Sequence, residues 1–172
     1  MATPLIGDPN FERTIILLLA HGEEGAFGVV LNRPSATDVA EIIPDWADAA
    51  AAPKLMFIGG PVGVNAVIGL GRPGPDDRPS SWQPLVGAIG TLDLNSSEDA
   101  TSCAEVRLFA GSAGWAVGQL EDELAEGAWW LVDVDADDVF SSDPASLWSS
   151  VLRRQLGPLA WFANHPGDPS VN

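Results

Sequence analysis

The stretch TIILLLAHGEEGAFGVVLN, residues 14 to 32, constrains the fold most. Two dense apolar runs flank HGEEG, a polar turn that contains glycine. Two short runs joined in this way read as a β-hairpin. Both runs are nearly continuous rather than alternating, so both faces of the hairpin are expected to be covered. A length of 172 residues fits one domain and can bury a full core without staples.

Further elements follow from pattern. SATDVAEII, residues 35 to 43, places Val39, Ile42 and Ile43 on one helical face, with Ser35 or Thr37 as cap. KLMFIGG and NAVIGLG read as buried strands, and residues 71 to 84, rich in proline and glycine, as an irregular surface excursion. GAIGTLDL returns to extended structure, and SSEDATSCA suits a short helix capped by Ser96 or Ser97. EVRLFAG and AWWLVDV are expected strands. Between them the sequence predicts a loop over 111 to 119 and a helix over 117 to 126, closed by Gly127. DPASLWSSVLRRQLG carries strong helix signals: Asp143 as cap, Pro144 in the first turn, and Leu147, Trp148, Val151, Leu152 and Leu156 on one face up to Gly157. Strands and helices intermix, so the expected class is α/β, a single layered domain with a mixed β-sheet flanked by helices.

Charge narrows the function. Eight Lys and Arg face 24 Asp and Glu, for a net charge of −16. Such a field repels phosphate backbones and anionic lipid, so neither nucleic acid nor membrane is an expected partner. The longest apolar run, IILLLA, is far shorter than the ~20 residues of a spanning helix. Cys103 is the single cysteine, and the N-terminus lacks a basic leader, so the expected location is cytoplasmic.

Candidate chemistry is sparse. His21 near Glu23 and Glu24 is a weak metal pattern, since zinc sites draw on several nitrogen or sulfur ligands. His165 and Cys103 lie far from it in sequence, and no metal or cofactor is expected. Ser112 in AGSAG has Ala110 where a nucleophile elbow needs glycine. Gly111, Gly114 and Gly118 could cradle phosphate at a helix start. The Walker lysine is absent, however, and Glu121, Asp122 and Glu123 already occupy the first turns. Polar residues at strand ends remain: Asp8, Arg13, Asn32 and Arg33. Arg33 could hold a carboxylate ligand bidentately, or pair internally with Asp8. Gln119 has no evident local role.

These pieces assemble into a resemblance. DPNFERTIILLLAHGEEGAFGVVLNRP, GGPV, GSAGWAVGQLEDEL and HPGDPSVN, in that order, resemble the YqgE/AlgH family of bacterial proteins. The resemblance implies one α/β domain with a mixed sheet, and it carries no established catalytic role to transfer. Members are often labelled transcriptional regulators, from an association with alginate control, without a recognisable DNA-binding motif. Members usually begin with a further strand, which this sequence, starting Met1-Ala2-Thr3-Pro4, is expected largely to lack. Val117 stands where members often have proline, so the helix start is expected to be less sharply fixed.

The leading expectation is a non-enzymatic cytoplasmic binding or regulatory protein, a monomer or weak homo-oligomer, acting through protein or small-ligand contacts. The expected ligand residues are Arg33, Asn32, Gln119, His21, Arg13 and Asp8. The alternative is an enzyme, a hydrolase or transferase, whose site joins Asn32, Arg33 and the 111 to 119 loop. Direct DNA-binding regulation is the third reading, disfavoured by the charge.

Overall fold

The computed structural model describes residues 1–75, 78–155 and 157–164. The hairpin forms as expected: β1 (Ile16–Gly22) pairs antiparallel with β2 (Gly25–Val30) around Glu23 and Glu24. β3 (Pro34–Asp38), β4 (Leu55–Ile58), β5 (Val62–Pro73), β6 (Gln83–Val86), β7 (Ile89–Leu92) and β8 (Cys103–Trp115) complete an eight-stranded sheet. Strand β8 is its spine, bonded to β2, β4 and β5 along its length. Among the described strands only the β4–β8 pairing is parallel, joined by a single parallel bridge from Ala50 to Val106, so the sheet is mixed but dominated by antiparallel pairs. It is nearly barrel-shaped.

The helices are few and short: α1 (Val39–Ile42), α2 (Gln119–Ala125), α3 (Ala136–Val139) and α4 (Leu147–Arg154). They do not confirm the flanking layer of helices that the sequence suggested.

Several expectations are corrected. Residues 34–38 are a strand, not the first turn of a helix, because Pro34 and Asp38 pair with Phe57 and Leu55. The helix cap is therefore Asp38, whose carboxylate accepts the Ala40 N–H at 2.8 Å. Of the expected apolar face only Val39 is buried. Residues 97–102 form a 3-10 turn with no side-chain cap from Ser96. The expected 111 to 119 loop is strand as far as Trp115, because Gly111 to Trp115 continue β8 alongside β2 and β5. AWWLVDV makes no strand; a single bridge joins Trp129 to Ala2. α4 ends at Arg154 rather than at Gly157, and its N-cap is Ser146, with Asp143 accepting from Ser146. Leu156, His165 and the remainder of the tail lie outside the described residues. The helix α3 was not foreseen; its Asp135 and Asp138 close a capping box.

Side chains alternate across the spine, and the core divides accordingly. Phe109 faces one cluster with Phe57, Leu70, Trp148, Val151 and Leu152. Val106 and Leu108 face a second with Val39, Trp46, Met56 and Trp82. A third joins Ala113, Trp115, Leu120 and Trp129 beneath α2. Burying each such aliphatic or aromatic side chain contributes on the order of 1.5–3 kcal/mol. Arg107 sits among the apolar residues at 2% exposure, its guanidinium 4.2 Å from the Phe57 ring centre. It donates to Ala52 O and Ser141 O at 2.9 and 3.0 Å, and burial lowers its pKa to about 10. The proline-rich excursion is also tied down. Asp99, itself buried, accepts the Ser80 and Ser81 N–H groups at 2.7 and 2.8 Å.

Candidate functional site

Two glycine motifs meet at the heart of the molecule. Gly59 donates its N–H to Ala110 O at 2.8 Å and accepts from Val30 N at 2.9 Å, so the chain after β4 passes directly against β8. A methyl group on Gly59 would lie 2.2 Å from Gly111 O, and one on Gly60 2.3 Å from the Ser112 carbonyl carbon. No side chain fits either space. Gly60 and Gly111 also have positive φ, 152° and 72°. The GGPV and GSAG motifs therefore serve one close backbone crossing, and the second is a packing surface rather than a phosphate cradle.

The crossing turns Pro61 to Val64 outward. Ile42, Ile58, Val62 and Val64 stand 52%, 50%, 54% and 58% exposed. Two adjoining hollows open here and share Ile58 and Val64. One, of about 360 Å³, also involves Pro9, Asn10, Arg33 and Pro61. The other, of about 350 Å³, reaches Thr37, Ile42 and Val67. Together they form an apolar groove with Arg33 in one of its two parts.

Of the expected site residues, Arg33 alone lines this groove. Its Nη2 donates to Glu12 O at 2.6 Å, which holds the guanidinium in place. Among the described residues it pairs with no carboxylate, so the expected partner Asp8 is not its counterion. Asp8 instead accepts from the backbone and side chain of Asn10, at 2.9 and 3.0 Å. Asn32 is buried and structural: its Oδ1 accepts from Ile15 N at 3.0 Å and its Nδ2 donates to Arg13 O at 2.9 Å. Arg13, with φ of 52°, lies over the Trp148 ring at 4.6 Å.

The other two expected residues belong elsewhere. His21 Nε2 pairs with Glu121 and so ties the hairpin tip to α2. Gln119 reaches back to accept the Ala116 N–H at 3.0 Å and donates to Glu123 at 2.8 Å. Those bonds account for the glutamine: it organises the turn from β8 into α2. Burial raises the Glu123 pKa, but hydrogen bonds from Trp129, Gln119 and Trp115 outweigh it and hold the carboxyl below its ordinary value. Asn10, Ile58 and Val64 line the groove and were missed. A run such as KLMFIGG reads as buried throughout, and nothing local marks Ile58 as the residue that emerges.

The fold defines a class: a mixed α/β protein built on a long antiparallel spine with few, short helices. No helix among the described residues is long and apolar enough to cross a membrane. The chain belongs to the AlgH-like family (DUF179), which matches residues 1–160. It is 49% identical over 178 aligned positions to a UPF0301 protein of Streptomyces coelicolor, spanning 100% of this chain and 92% of that protein. A UPF0301 protein of Thermobifida fusca is 42% identical, again over 100% of this chain and 92% of the relative. A crystal structure of a Corynebacterium diphtheriae protein superposes with a TM-score of 0.88 at 30% identity, covering 94% of this chain and 87% of the other. The solution structure of AlgH from Pseudomonas aeruginosa gives 0.70 at 29% identity, with 98% and 92% covered.

Proposed function

We propose that this chain is a non-enzymatic binding protein, working in the cytoplasm, whose contact surface is the groove between Arg33 and Ile42. One observation carries the reading: three aliphatic side chains at least half exposed, Ile42, Ile58 and Val64, converge on one groove, beside a guanidinium that is held but not neutralised. Contiguous exposed apolar surface marks interaction sites, because it is costly to leave in water. Of the other polar residues, Asp8, Asn32, His21 and Gln119 are engaged in internal hydrogen bonds, and His21 and Gln119 lie away from Arg33 at the hairpin tip and α2. The −16 charge argues against nucleic acid as the partner.

A photo-crosslinking side chain placed at Val64 tests this in cells. A discrete adduct is expected at Val64 and not at Glu98, an exposed position on the 3-10 turn. Equal labelling at both positions, or none at Val64, contradicts the reading.

A further inference from the structure

The groove's lining has a composition unlike the rest of the molecule. Carboxylates outnumber basic residues three to one in the chain, yet Arg33 is the one charged side chain lining either hollow. Its Nη2 is committed to Glu12 O, and among the described residues its Nε and Nη1 make no other hydrogen bond. Glu12 O takes one of the two Nη2 N–H groups, so the other, with its neighbour Nη1 or Nε, leaves one two-donor edge that matches a carboxylate. Beyond it a path of apolar side chains runs through Ile58 and Val64 to Ile42, edged by the neutral polar residues Ser35, Thr37 and Asn65. An occupant that satisfies both parts has a carboxylate at one end and a short run of apolar groups behind it.

Resting on the groove reading above, we infer that Arg33 receives the C-terminal carboxylate of a partner polypeptide whose last residues are apolar and whose body is neutral or basic. The charge of the protein selects this source. A free small carboxylate meets the field of −16 with nothing to offset it. A polypeptide with a neutral or basic body is not repelled, and it brings its one terminal carboxylate to the one cation in the groove. Capture of a chain terminus by fixed donors, with apolar side chains seated behind it, is an established mode of peptide recognition.

The test uses the full chain and a defined probe. Rhodamine-labelled hexapeptides carry Lys and Ala in the first three positions and mixed Val, Ile, Leu and Phe in the last three. They are made as free acids and as C-terminal amides, and binding is read by fluorescence polarisation. The acid pool is expected to bind at least about tenfold more tightly than the amide pool, the worth of one charge-assisted hydrogen-bonded contact. Arg33→Gln should erase that preference, so that acid and amide bind alike, and Arg33→Lys should restore only part of it. Equal binding of acid and amide, no binding of the acid pool, or isovalerate binding as tightly as the acid pool would each overturn the inference. If the acid preference is absent while the Val64 adduct forms, the terminal carboxylate is wrong and the groove stands. If the adduct is absent as well, both fall.

Discussion

The indole N–H of Trp129 donates to the Glu123 carboxylate at 2.6 Å. The same oxygen accepts the Trp115 indole at 2.9 Å, and the other accepts Gln119 at 2.8 Å. One carboxylate from α2 therefore fastens the end of β8 to the segment that follows the helix. An amide at this position has only one acceptor oxygen and presents its NH₂ group to donors. Glu123→Gln is expected to destabilise the protein by about 1–3 kcal/mol. Urea denaturation followed by tryptophan fluorescence measures this directly, since two of the reporting indoles are the bonded ones.

A pH effect follows from Asp99. Ser81 hydrogen bonding, joined by Ser80, holds this carboxyl below its ordinary value despite burial. A depressed folded-state pKa stabilises fully above the ordinary carboxylate range and ceases to do so as pH falls through the folded value. Asp99→Asn should therefore cost about 1.5–3 kcal/mol at pH 7. The gap between the two proteins should close as the pH is lowered below the ordinary carboxylate value. A gap that persists in acid would show that the loss is packing rather than charge.

The backbone crossing predicts a sharp contrast between glycines. Gly60 has positive φ and meets backbone atoms of Ser112, so Gly60→Ala is expected to cost more than about 3 kcal/mol or to prevent folding. Gly118 has φ of 78° and open space around it. Gly118→Ala should cost only about 1–2 kcal/mol, the penalty of the left-handed conformation alone. Comparable losses at the two sites, read by thermal denaturation, would contradict the close approach.

The contrast between fold and site shows what a sequence makes legible. The hairpin of residues 14–32 is readable because its runs and its turn are adjacent in the chain, so local chemistry decides it. α4 is readable for the same reason. Residues 34–38 mislead because their helix-like spacing is overridden by pairing with β4, some twenty residues on. The 111–115 stretch misleads in the opposite direction: its glycines look like a loop, yet they serve approach by Gly59 and Gly60 from a distant strand. Arg33 could be singled out as a rare cation at a strand end. Its neighbours Ile58 and Val64 could not, because only the crossing of two glycine motifs exposes them. Gln119 has no evident role in the sequence and Asn32 reads as a strand-end ligand residue, yet Asn32 bonds two backbone groups and Gln119 joins the Ala116 backbone to the Glu123 carboxylate.

Asn32 and Arg33 are adjacent in sequence and are expected to behave as opposites. Asn32→Ala strands Ile15 N and Arg13 O, and should lower stability by about 1–3 kcal/mol while peptide binding by the folded protein is unchanged. Arg33→Gln lies at the surface and should change stability by no more than about 0.5 kcal/mol while abolishing the acid preference. Urea titrations of the two variants, run beside the polarisation assay, separate a structural residue from a binding one.

The most direct measurement is amide chemical-shift mapping of the isotopically labelled protein during titration with the free-acid hexapeptide pool. Saturable shifts confined to Asn10, Arg33, Ile58 and Val64, with none at His21 or Gln119, are the predicted result. Shifts centred on the hairpin tip and α2, or no saturable shifts at all, would contradict the groove as the binding surface.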